Sequence, residues 1–177
     1  MTAASGNPFW DYSLALYGRE GVERACLALQ DRLGLDVNLL LFCCWAGNRG
    51  RTLSPDEIDR LIAATQTWRA EVVAPLRGAR RWLKAHAADQ GPAAEALRVE
   101  IEGSELSAEA IQQDLMHRTL PLYEGVASPA SAAANLRACL AACGCTRGPA
   151  ESDDLAVLLR ASCPQVTRAE ALRLLAG

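Results

Sequence analysis

The chain has 177 residues, half of them hydrophobic and 22% charged, with a formal net charge of −3. Such a length suits one domain with a real core, and such a composition is ordinary globular usage. The charge argues against a chain-wide nucleic-acid role but leaves room for a local basic patch, and the longest apolar run, Leu39 to Ala46, is too short to span a bilayer.

Alanine and leucine dominate while β-branched residues are few, which leans towards helix. No basic stretch followed by an apolar one opens the sequence, so no signal peptide is expected. In chain order, residues 1–6 read as a frayed, disordered tail. Asn7-Pro8 opens the first helix as N-cap and N1, and Gly18 stops it. A second helix spans about Gly21 to Leu33, with Gly34 closing it. Asp36 caps a third, about Val37 to Ala46, which is apolar nearly all round and so predicts a buried central helix. A strand competes for so apolar a run, but a capping aspartate before it and Gly47 after it favour helix.

Ser54-Pro55-Asp56-Glu57 carries the signature of a capping box. The helix it starts continues through Ile58, Leu61, Trp68 and Val72, and Pro75 is expected to kink or end it. Helical spacing resumes at Leu76 and runs to about Ala88. After the Gly91-Pro92 turn a further helix extends towards His117, with Gly103-Ser104 as a point of interruption. Ser128-Pro129 starts a helix ended by Gly144, and two short helices, about Ser152 to Ala161 and Thr167 to Ala176, close the chain. The prediction is an all-α, single-domain helical bundle or irregular helical array of about 7–8 helices.

Three segments together resemble a known family. They are Asn7-Pro8-Phe9-Trp10 with Tyr12-Ser13-Leu14, then Ala25 to Asp31 running on to Gly34 to Cys43, and then Trp68-Arg69, Val72-Val73, Pro75-Leu76-Arg77, Arg80-Arg81 and Lys84. The combination resembles short proteobacterial proteins that share a conserved domain of unknown function, over roughly 7–115. The resemblance implies a bacterial cytoplasmic protein whose tail is variable, and the residues themselves divide the chain near Pro121 to Pro129 into a helical domain over 7–120 and a helical extension, 121–177, packed on it. It implies no activity. A weaker similarity is to the opening of squalene and phytoene synthases, but the DxxxD or DDxxD pattern that binds their magnesium diphosphate is absent.

Asp36 and Asn38 flank the start of the most apolar helix. They are either a cap and a first-turn residue or, for Asn38, an amide presented to a ligand inside the bundle. Arg77, Arg80, Arg81 and Lys84 fall at i, i+3, i+4 and i+7, one side of a helix that Arg69 extends. That face suits phosphate, an acidic partner or nucleic acid. The next helix is acidic, with Glu95, Glu100, Glu102, Glu105, Glu109 and Asp114, so pairing across the hairpin is the competing account.

Cys139, Cys143, Cys145 and Cys163 lack the repeated CxxC knuckle of a zinc site, so small core residues and surface thiols are expected and no metal or cofactor is. Seven cysteines at irregular spacing fit a reducing cytoplasm. His86 and His117 sit beside no nucleophile pattern. Glu105 and Glu109 share a helix face without a matching pair elsewhere. Trp10, Trp45, Trp68 and Trp82 are expected to anchor the core, with Trp10 or Trp82 available to a partner surface instead. The reading is a non-enzymatic protein-interaction module of unknown function, with Asp36, Asn38, Trp45, Arg77, Arg80, Arg81 and Lys84 as candidate binding residues. A small-molecule binder for an isoprenoid- or phosphate-like ligand, or a divergent prenyl-synthase-like enzyme, is the alternative. Nucleic acid and membrane are not expected as partners, and oligomeric state is open.

Overall fold

The most apolar segment of the chain is the centre of the fold. A computed structural model describes residues 6–177, save the side chains of Ala87 and Ala88; the expected tail thus lies outside the described residues except for Gly6. Helix α3 (Val37–Asn48) is buried from Asn38 to Gly47 on every face. A helix with no polar stripe has no side to turn to water, so neighbours must cover it all round. Around it lie α1 (Pro8–Tyr17), α2 (Val22–Leu33), α6 (Pro92–Thr119), α7 (Pro129–Ala142) and α8 (Pro149–Ser162). Two further helices, α4 (Pro55–Trp68) and α5 (Ala74–Gln90), form a long arm against α6, and α9 (Arg168–Ala176) closes on α7 and α8. The described residues contain no strand.

Local chemistry explains the helix ends. Asn7 Oδ1 accepts from Phe9 N (3.0 Å) and Asp36 Oδ1 from Asn38 N (3.0 Å), which caps α1 and α3. Ser54 and Glu57 complete a reciprocal capping box on α4. Gly34 ends α2 at φ +67°, a left-handed conformation that side chains resist. Gly47 serves closeness instead: a Cβ there would stand 2.3 Å from Ala132 Cα, so α3 and α7 cross almost backbone to backbone.

One of the two outcomes expected at Pro75 and the interruption expected at Gly103-Ser104 are corrected. Pro75 does not end the fourth helix. A π-helical turn, Arg69–Val73, joins α4 to α5, and Ala74 N–H bonds to Arg69 O. Proline lacks an N–H and its ring crowds the carbonyl four residues back, so a widened turn just before it accommodates both. Counting this rod once, the described residues form eight helical rods, within the predicted architecture. Gly103-Ser104 does not interrupt α6, which runs unbroken over 28 residues. Packing along α5 outweighs the ~1 kcal/mol propensity cost of one glycine.

The hydrophobic core is continuous from α1 to α9, joining Phe9, Leu29, Phe42, Trp45, Leu61 and Met116 to Leu136, Leu159 and Leu175. Asn135 on α7, which the sequence reading passed over, stitches this core from within. Its Nδ2 donates to Cys43 O and Arg51 O, and its Oδ1 accepts from Leu53 N.

Candidate functional site

The first turn of α3 and the last third of α6 meet through polar side chains, which is unusual at so buried a place. Gln112 Nε2 donates to Asp36 Oδ2 (2.5 Å). Asn38 Nδ2 donates to Gln112 Oε1 (3.0 Å), and Gln113 Nε2 donates to Asn38 Oδ1 (2.7 Å). The four residues form one chain of bonds in which every donor points towards Asp36. The chain stops at Gln113 Oε1, which is buried and has no partner. Gln113 itself is only 2% exposed.

Beside this relay the arm supplies charge. Arg77 on α5 donates to Glu105 (2.9 Å) and Glu109 (2.5 Å) on α6 and to Gln30 (2.5 Å) on α2. Arg80 donates to the other Glu105 oxygen at 2.5 Å. Burial pushes the Glu105 carboxyl up, but the two arginines outweigh it and hold it below the usual range. Glu109 has one arginine, and burial keeps its carboxyl above that range. Burial also raises Asp36, against Arg69 at 3.9 Å and the bonds from Asn38 and Gln112.

These groups line a cavity of about 160 Å³ between α1, α2, α3, α5 and α6. Asn38, Gln113, Arg77, Arg80, Glu105, Glu109 and Gln30 supply its polar wall, while Trp10, Leu14, Leu27, Leu41 and Leu106 supply the apolar one. Leu14 and Leu106 are each 51% exposed and stand at its mouth.

The structure therefore brings together Asn38, Arg77 and Arg80, with Asp36 behind them, and separates the rest. Arg81 turns to Asp31 on α2 (2.9 Å) rather than across the hairpin, and Lys84 is exposed with no ion pair among the described residues. Trp45 lies two turns along α3, fully buried, and does not line the cavity. Its ring stacks on Phe9 at 5.1 Å, meets His117 edge-on at 5.5 Å and lies 4.6 Å under the Arg49 guanidinium. Among the described residues Trp45 Nε1, Arg49 Nε, His117 Nδ1 and Asn7 Nδ2 have no hydrogen-bond partner.

Trp68 donates Nε1 to Ala108 O and so ties α4 to α6. Trp82 is 54% exposed and stacks on His86, so it does not anchor the core. All seven cysteines are free thiols, and no group of three potential metal ligands occurs among the described residues. No helix of the described residues is long and apolar enough to cross a membrane.

Gln30, Gln112 and Gln113 were missed by the sequence reading. The available signal was periodicity: Glu105, Glu109, Gln112 and Met116 recur at i+3 and i+4, so the polar residues sit on the same α6 face as a core methionine.

Fold and site together define an all-helical protein with a small, polar-walled internal pocket. Residues 8–116 match the family described as a protein of unknown function, DUF2390, and the chain belongs to that family. No curated protein and no solved structure matches the chain. Every residue lining the pocket, from Trp10 to Gln113, falls inside the matched stretch.

Proposed function

We propose that this protein is a binding protein and that the pocket between α1, α2, α3, α5 and α6 holds a small, largely apolar ligand. The carrying observation is Gln113 Oε1, an unsatisfied buried acceptor on a side chain that lines the cavity. A donor on the ligand would pair this oxygen, with water as its competitor in the pocket. A volume near 160 Å³ compares with the engineered cavity of about 150 Å³ that takes benzene. A phosphate is disfavoured because Arg77 and Arg80 already hold carboxylates, and an isoprenoid diphosphate because of its size. We place the binding role in the helical domain over 7–120 of a bacterial cytoplasmic protein, with 121–177 as its extension.

A fragment titration followed by NMR tests this reading. Aromatic fragments of benzene to indole size are expected to shift the Trp10 indole and the methyls of Leu14, Leu27, Leu41 and Leu106. Leu27→Trp, which fills the half-buried wall, is expected to abolish those shifts while leaving the fold intact. Shifts scattered over the surface, or none, would overturn the reading. The exposed pair Leu14 and Leu106 favours a second one, a protein-interaction module whose partner inserts an apolar side chain here. Fragments and partner would then compete.

A further inference from the structure

We infer, resting on the pocket reading above, that the ligand presents a neutral N–H or O–H donor on its apolar body, and that Asp36 dictates this preference from three side chains away. A primary amide is a donor at one end and an acceptor at the other, so a row of amides has a direction. Here the direction is set at one terminus. Both Asp36 oxygens accept, Oδ1 from Asn38 N and Oδ2 from Gln112 Nε2. With its nitrogen committed there, Gln112 can only offer its oxygen to Asn38. Asn38 then turns its own oxygen to Gln113, and Gln113 spends its nitrogen on that oxygen.

The group left over is therefore an oxygen, and it is the atom found without a partner. Only a donor satisfies it. Neutrality follows from the wall, where Arg77 and Arg80 are already matched by Glu105 and Glu109; a charged ligand would be buried without a counter-ion.

The same logic makes the preference reversible by one atom. In Asp36→Asn the cap requires the side-chain oxygen to stay on Asn38 N, which puts an NH₂ where Oδ2 stood. Gln112 must then turn its oxygen to that NH₂. Asn38 and Gln113 turn in succession, and the free terminus becomes an NH₂.

Titration calorimetry with indole, benzofuran and indene tests this, since the three share a shape and differ in one ring position. Indole is expected to bind the native protein at least tenfold more tightly than the other two. Asp36→Asn and Gln113→Met are each expected to erase that advantage while indene binding persists. The two variants act at opposite ends of the relay, so loss of folding in one leaves the other decisive. Equal binding of all three by the native protein would overturn the inference and leave the pocket reading standing. An indole advantage that survives both variants would also overturn it. Binding of none would sink the pocket reading and this inference with it.

Discussion

Helix α3 meets buried polar groups at both ends, and it treats them in opposite ways. At its start, Asp36 and Asn38 join Gln112 and Gln113 in a directed chain of bonds with one unpaired atom at its terminus. Near its end, Trp45, Arg49 and His117 pack ring on ring and cation on ring, while the nitrogens Nε1, Nε and Nδ1 stay unpaired. The first end is organised by hydrogen bonding and lines a cavity. The second is organised by aromatic packing, and of its three groups only Arg49 borders a cavity, one of about 360 Å³ lined also by Leu120, Leu122 and Tyr123. Burial alone thus does not mark a site; the proposed pocket rests instead on one unpaired acceptor at the end of an otherwise satisfied network, on a side chain that lines a cavity.

Substitutions separate the two ends by size of effect. Trp45→Ala is expected to cost the most, about 3–5 kcal/mol in chemical denaturation, because a fully buried ring leaves a cavity among Phe9 and Phe42. Asn38→Leu should cost less, about 2–3 kcal/mol, since it leaves Gln112 Oε1 and Gln113 Nε2 unpaired. Trp45→Phe should cost still less, about 1 kcal/mol or under, because it removes an unpaired N–H along with its packing. If Trp45→Phe proved worse than Asn38→Leu, the indole nitrogen would have a partner in solution and the contrast between the ends would fail.

The pH dependence of stability sharpens the relay end. Glu105 has a folded pKa below its unfolded one, so its contribution is present at neutral pH and is lost as pH falls through the carboxylate range. Asp36 is shifted the other way by burial, so its ionised form costs stability at neutral pH and protonation relieves that cost as pH falls. Urea midpoints between about pH 3 and 7 should therefore show the native protein losing ground to Glu105→Gln on acidification and gaining on Asp36→Asn. Parallel profiles would contradict the opposed shifts. The smallest effect is expected at the exposed end of the same basic face: Arg81→Ala, breaking a surface pair with Asp31, should cost about 0–1 kcal/mol.

Much of the fold was legible beforehand because its signals are local. Asn7, Asp36 and Ser54 cap where they were placed, since a cap needs only its own backbone within three residues. Gly103 misled because its local cost is small beside the packing of α5 on α6, which no short window contains, whereas Pro75 left its mark as the π-helical turn that carries the chain past it without ending the helix. The basic face was readable as a face, but not that Arg77 and Arg80 would turn to α6 while Arg81 turned to α2. That depends on how three helices are set around one another.

The sequence by itself determined an all-helical chain with an apolar central helix, three of its caps and membership of an uncharacterised family over 8–116. Tertiary structure alone decided that Asn38 would face two glutamines 74 and 75 residues away rather than its own backbone. The physical reason is range. Caps and amphipathic stripes are written in neighbouring residues, whereas a directed amide chain exists only once distant helices pack and water is excluded from between them.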